Sequence, residues 1–105
     1  MALYICVPEA HRSAEPLAAL RRYADARDWV VAAEVADHVP LDAPVTTRDG
    51  WRHVRHLILT RQAGGVVTEL ATMCGHTDAE QRIVHGWLAE HAAFLAVVLT
   101  PEAAR

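Results

Sequence analysis

Two cysteines and seven histidines are the side chains of this 105-residue sequence best suited to bind a metal ion or attack a substrate. Cys6, His11, His38 and the run Cys74-Gly75-His76 each sit at or just after an apolar stretch, where a fold could gather them. Zinc asks for four nitrogen or sulfur ligands in tetrahedral array. A thiolate nucleophile asks for an adjacent base and donors for the developing oxyanion. Neither C-x-x-C nor H-x-x-x-H occurs, so Cys6, Cys74 and His76 form an incomplete metal set. Ordinary buried thiols beside a solvated imidazole are the plainer account.

A second group is basic. Arg48, Arg52, His53, Arg55, His56 and Arg61 follow one another with Asp49 as their only acid, and Asp37 lies shortly ahead of them. Phosphates or an acidic partner would find donors on such a helix. A solvated face explains the same residues, because all ten basic residues are Arg and Ala occurs twenty times. That bias fits a GC-rich coding sequence, which chooses Arg wherever a positive charge is tolerated. His53 and His56 also make the helix a candidate pH-sensitive surface, since free imidazole titrates near pH ~6.5. Gly64-Gly65 lacks the G-x-G-x-x-G or G-K-[ST] context of a phosphate loop and reads as a helix stop.

The elements that must position these groups alternate. Residues 2–7 are a short apolar β-rich run closed by Pro8, and residues 29–35 form a second strand. Between them Ser13 is a candidate N-cap, and Leu17, Leu20 and Ala24 recur at helical spacing to about Arg27. A polar loop over residues 36–47 leads to a helix over residues 48–62, with Trp51, Val54, Leu57 and Ile58 on one stripe. Val66 and Val67 open a third strand that fades by Leu70. Thr77-Asp78-Ala79-Glu80 is a capping box, and Ile83, Val84, Trp87 and Leu88 are the stripe of the helix it starts. Residues 94–99 read as a fourth buried strand, closed by Pro101. Trp51 and Trp87 belong to core stripes, and Trp29 reads as half-buried. The order β-α-β-α-β-α-β predicts one three-layer α/β domain, a four-stranded, mainly parallel sheet with three crossover helices. A ligand site would lie at the carboxyl ends of the strands, within residues 8–12, 36–48, 70–76 and the C-terminus.

Length and composition agree with one domain. At 52% hydrophobic and 22% charged the chain can bury a core, and no apolar run approaches the ~20 residues of a membrane span. Net charge of −3 argues against a whole-surface nucleic-acid binder. Two cysteines without a disulfide framework point to a reducing cytoplasm.

Together these pieces resemble the catalytic domain of the serine recombinase (resolvase/invertase) family. Tyr4-Ile5-Cys6-Val7-Pro8 resembles the opening Tyr-x-Arg-Val-Ser, and residues 26–29 its Ala-x-Gly-Trp turn. Arg48-Asp49-Gly50-Trp51 resembles Arg-Pro-Gly-Trp, and residues 66–75 stand in place of Val-Val-x-x-Leu-Asp-Arg-Leu-x-Arg. The resemblance implies a DNA phosphodiester attacked by a serine within an arginine cluster. Here it sets Pro8 at the nucleophile position, Cys6, Thr72 and Gly75 where arginines stand, and Ala71 in place of the Asp. Arg48 alone matches a catalytic arginine, with Asp37 a looser acidic match. The family also continues into a long helix and a DNA-binding module, which this sequence does not show.

The expectation is therefore a degenerate, non-enzymatic, resolvase-like domain over residues 1–105, with no separate DNA-binding domain and no cofactor. It would be a bacterial, cytoplasmic protein in a mobile-element setting, acting as a protein-interaction or regulatory module. A homodimer, weak or no DNA binding and no membrane association belong to that reading, with Arg48, Arg52, Arg55, His56 and Asp37 as partner- or substrate-binding candidates. Its rivals are a small enzyme or metal-binding domain using the strand-end Cys, His and Arg residues, and an auxiliary nucleic-acid-binding domain using the basic helix 48–62. For the dimer, the terminal strand at a sheet edge and a sheet face under a single helix, the third crossover opposite the first two, are the surfaces expected to need covering.

Overall fold

The computed structural model describes residues 1–99. Strands and helices alternate as β1 (Ala2–Cys6), α1 (Ala14–Ala26), β2 (Ala33–Asp37), α2 (Asp49–Leu59), β3 (Gly65–Thr68), α3 (Asp78–Glu90) and β4 (Phe94–Val97). Every strand pair is parallel, and the order across the sheet is β2-β1-β3-β4. The protein is thus an α/β domain with a four-stranded parallel sheet and three crossover helices, as the alternation predicts. No helix among the described residues is long and apolar enough to cross a membrane.

Strand register assigns side chains to faces. Leu3 aligns with Glu34 and Val67, while Tyr4 aligns with Val35 and Thr68. Glu34 accepts both guanidinium bonds of Arg21 on α1, at 2.8 and 2.6 Å. The Tyr4 ring instead meets Trp51 of α2 edge-on, with centroids 5.2 Å apart. Next to α2, the Arg55 guanidinium lies 5.0 Å over the Trp87 ring of α3. One sheet face therefore carries α1 alone, and the other carries α2 and α3. The sequence expectation had α1 and α2 sharing a face opposite α3. The strand order corrects it: β2 and β3 lie on opposite sides of β1, so right-handed crossovers send α1 and α2 to opposite faces. β1, central and covered on both sides, buries all five of its residues.

Several boundaries differ from expectation for identifiable reasons. β2 begins at Ala33 and not at Trp29, because residues 29–31 bring the chain back from α1. The Trp29 amide donates to Ala24 O, its ring packs on Tyr23 and Phe94, and Val30 is 83% exposed. β2 then continues through Ala36 and Asp37, which pair with Ile5 and Cys6 where a polar loop was expected. Ser13 precedes α1, but its hydroxyl turns back to donate to Ala10 O and caps nothing. Thr77 does cap α3, accepting the Glu80 amide at 3.1 Å. β4 is a half-exposed edge strand and not a buried one, and its ladder is extended by the Val98 and Leu99 amides donating to Thr68 and Glu69 carbonyls. Pro101, expected to close it, lies outside the described residues.

All three helices stop by the same device. Asp28, Arg61 and Ala92 adopt left-handed φ of 56, 60 and 54°. After each, the chain closes a paired Schellman turn: Asp28 and Trp29 amides onto Asp25 and Ala24, Arg61 and Gln62 onto Ile58 and Leu57, Ala92 and Ala93 onto Ala89 and Leu88. α2 therefore ends at Leu59, before the Gly64-Gly65 pair expected to stop it. Gly65 belongs to β3, where a Cβ would come within 2.8 Å of the Phe94 carbonyl oxygen.

Candidate functional site

Two of the expected windows, residues 36–48 and 70–76, converge with Tyr4 of β1 near the carboxyl ends of the strands, and a buried polar cluster fills the place where they meet. Asp37, the last residue of β2, is buried beneath the start of α2. Its Oδ1 accepts the Gly50 amide at 2.7 Å, and its Oδ2 accepts the Trp51 amide at 3.0 Å. Arg48 is the residue at the N-cap, yet Asp37 supplies the capping oxygens from a neighbouring strand. A carboxylate at a helix N-terminus also opposes the positive end of the helix dipole. Gly50 permits this approach, since a Cβ there would lie 2.7–2.8 Å from the Asp37 carboxylate.

Tyr4 links this carboxylate to Arg48. The phenol donates to Asp37 Oδ2 at 2.7 Å and accepts from Arg48 Nη1 at 3.3 Å. Burial pushes the Tyr4 hydroxyl far above the usual phenol range, so it remains protonated and able to donate. Arg48 itself is 1% exposed. Its Nη1 also donates to Met73 O at 2.6 Å, its Nη2 to Leu41 O and Ala43 O at 2.9 Å each, and its Nε to Ala43 O at 3.1 Å. Five N–H groups thus make five hydrogen bonds, all inside the protein. The guanidinium pins the loop after β2 and the 3-10 turn Ala71–Cys74 to β1.

Glu80 makes a second bridge from α3. Its Oε1 accepts the His76 amide at 2.8 Å, and its Oε2 accepts the Val45 amide at 3.2 Å. The Thr77 amide donates no reciprocal capping-box bond to this carboxylate, which instead ties the 3-10 turn Val45–Thr47 to α3.

The remaining candidates are dispersed. Arg52 is 64% exposed and 3.6 Å from Asp49, and His56 is also exposed. Arg55 turns toward α3 and lies over Trp87. Arg48 and Asp37 are buried beneath the same helix, so the five residues do not share one surface. Cys6 and Cys74 are both free thiols in the core, while His76 is exposed. Burial pushes the Cys74 thiol up to about 12 and raises that of Cys6. Among the described residues, no three His, Cys, Asp or Glu side chains are grouped to hold a metal ion. Pro8 and Thr72 are exposed. Gly75 has φ of 151°, and a Cβ there would stand 2.8 Å from the Gln81 amide nitrogen, so an arginine does not fit without moving α3.

Tyr4 has no site role in the sequence reading, and Glu80 has only its place in the capping box. A signal for the first was present: a phenol inside one apolar strand and a carboxylate ending the next must find partners when buried.

The architecture, a four-stranded parallel sheet with three crossover helices, is that of serine recombinase catalytic domains. The C-terminal catalytic domain of ISC1926 TnpA, an IS607-like serine recombinase, is similar with a TM-score of 0.83 at 16% identity, over 96% of this chain and 68% of that one. The N-terminal catalytic domain of TP901-1 integrase gives 0.83 at 15% identity, over 92% and 75%. The first open reading frame of transposon ISC1904 from Sulfolobus solfataricus P2 gives 0.69 at 14% identity, over 98% and 73%. No protein-family model and no curated protein matches the chain.

Proposed function

We propose that this chain is a serine-recombinase-like domain without recombinase chemistry, working as a protein-interaction module that pairs with a second copy of itself. One observation carries the loss of chemistry. Arg48, the single arginine that matches the family's catalytic set, spends all five N–H groups on internal acceptors and has none left for a phosphate. The nucleophile position is Pro8, which has no hydroxyl, and Gly75 leaves no room for a second arginine. Removing the nucleophile ends covalent catalysis, and each lost oxyanion-stabilising donor costs about 3–4 kcal/mol more. Buried thiols raised well above neutrality speak against the rival small enzyme built on Cys6 or Cys74.

Pairing is supported by the β4 edge. Phe94 is 47% exposed there, and β4 bonds only to β3 among the described strands. Open edges with apolar side chains are surfaces that proteins cover. The mobile-element setting rests on the transposon-encoded and integrase neighbours. Arg52 and His56 remain the candidate contacts on the outer face of α2.

Three measurements test the reading. Incubation with supercoiled plasmid yields no nicks and no covalent adduct, and a reproducible protein–DNA adduct on any hydroxyl overturns the inactive assignment. Sedimentation equilibrium at micromolar concentration finds a dimer that Ala96→Arg, on β4, weakens. A strict monomer across a hundredfold dilution overturns the module that pairs with itself. Anisotropy with a random duplex finds nothing tighter than about 10⁻⁵ M at physiological salt, and submicromolar binding favours the nucleic-acid reading of α2.

A further inference from the structure

A groove of about 430 Å³ runs between α2 and α3, separate from the Arg48 cluster and from the β4 edge. Its walls are mostly carbon: Val45, the indoles of Trp51 and Trp87, and Ile83, which is 71% exposed at the rim. Two charged groups face it, and they differ in what they have left to give. Glu80 has both carboxylate oxygens engaged by the His76 and Val45 amides. Arg55 lies over Trp87 at 5.0 Å, and no carboxylate among the described residues lies within 4.0 Å of its guanidinium. The uncommitted charge at the groove is therefore a donor, half-buried against an aromatic ring. A concavity in the ~300–1,000 Å³ range with apolar walls and few convergent polar groups is the usual form of a small-molecule site.

We infer that this groove binds a small apolar carboxylate, its aromatic or branched body lying between Trp51, Trp87 and Ile83 and its carboxylate on Arg55. The body buries surface that Ile83 now exposes, and the planar guanidinium accepts a carboxylate through two parallel bonds. A cationic ligand would meet the Arg55 charge, while each Glu80 oxygen is already engaged by an amide. A neutral ligand would leave Arg55 desolvated by the bound body and unpaired.

The three tryptophans make the test self-controlled. Trp51 and Trp87 line the groove, whereas Trp29 packs on Tyr23 and Phe94 on the α1 side of the sheet. Titration of the ¹⁵N-labelled protein with 1-naphthylacetate, followed by indole N–H shifts, moves Trp51 and Trp87 saturably and leaves Trp29 in place. The neutral isostere 1-naphthylacetamide binds about fivefold more weakly, the scale of a partly exposed ion pair. Arg55→Gln abolishes that preference while the amide still binds, and Ile83→Asp weakens both ligands; the same spectra establish that each variant is folded. Equal affinity for acid and amide, an Arg55→Gln preference unchanged from wild type, shifts at all three indoles, or no shift at 10 mM ligand overturns the assignment. Trp51 and Trp87 signals that move with protein concentration alone also overturn it, since a second copy then occupies the groove.

Discussion

Replacing Arg48 separates a structural guanidinium from one held ready for an anion. Arg48→Met keeps most of the aliphatic stem and removes all five N–H donors, leaving the Leu41, Ala43 and Met73 carbonyls and the Tyr4 oxygen short of a donor. Bonds to a charged donor are worth about 1.5–3 kcal/mol each, but they are not additive, because a freed loop carbonyl regains water. Breaking a buried charged network by removing one partner costs about 3–5 kcal/mol, and that is the expected loss for Arg48→Met. Arg48→Lys keeps the charge but offers three donors from one nitrogen, against acceptors arranged around a planar fork. At least two bonds go unmade, for an expected loss of about 2–3 kcal/mol. At roughly 4–8 °C per kcal/mol for a domain near this size, Arg48→Lys melts some 10–20 °C lower. A domain stable by about 5–15 kcal/mol survives that change and remains measurable. Urea unfolding followed by the fluorescence of buried Trp51 gives both values by linear extrapolation. Arg48→Met within about 1 kcal/mol of wild type, at an unchanged m-value, would refute the structural role and return Arg48 to the list of free phosphate ligands.

Further outcomes follow from the same structure. Gly50→Ala, despite its gain in helix propensity, destabilises by about 1–3 kcal/mol because its Cβ meets a carboxylate held by three hydrogen bonds. Gly86→Ala, in open space within α3, stabilises by about 0.5–1 kcal/mol, so the two urea midpoints move in opposite directions. Ala92→Gly relieves a left-handed residue and raises stability by up to about 1 kcal/mol, read in the same assay. Cys6 and Cys74 are held as thiols by burial, so a disulfide reagent at pH 8 modifies the folded protein only as fast as it opens, and both thiols at once in denaturant. Because folding raises the Cys74 pKa from 9.0 to about 12, its contribution to stability is complete below pH 9 and is lost as pH rises toward 12; stability unchanged across that window sinks the assignment.

Most of the fold was legible because its signals are periodic. The apolar stripe Trp51, Val54, Leu57 and Ile58 and the Thr77–Glu80 cap each mark one element, and the structure has them where the pattern sets them. What misled was local chemistry overridden at a distance. Trp29 and Val30 are good strand residues, yet they serve the turn out of α1. Arg61 and Ala92 end helices in a conformation that their side chains disfavour, so no glycine marks the stop. Helix grouping on the two faces could not be read either, because it depends on strand order and strand order has no local signature. The strand-end cluster was legible by place and not by role. Arg48 and Asp37 were picked out as candidates for contact with a partner, but a single sequence does not record how deeply a charge is buried.

The Arg48 cluster has a consequence for how this chain tolerates change. Four of the five bonds from that guanidinium end on main-chain oxygens, at Leu41, Ala43 and Met73. Every amino acid carries such an oxygen, so the residues that receive the arginine are free to drift in identity so long as the backbone follows the same path. Insertions and deletions are another matter. Adding or removing one residue between Asp37 and Arg48 displaces the carbonyls at 41 and 43 relative to the fork, and no side-chain choice restores them. Comparing chains that keep this arginine should therefore find a segment variable in composition and constant in length.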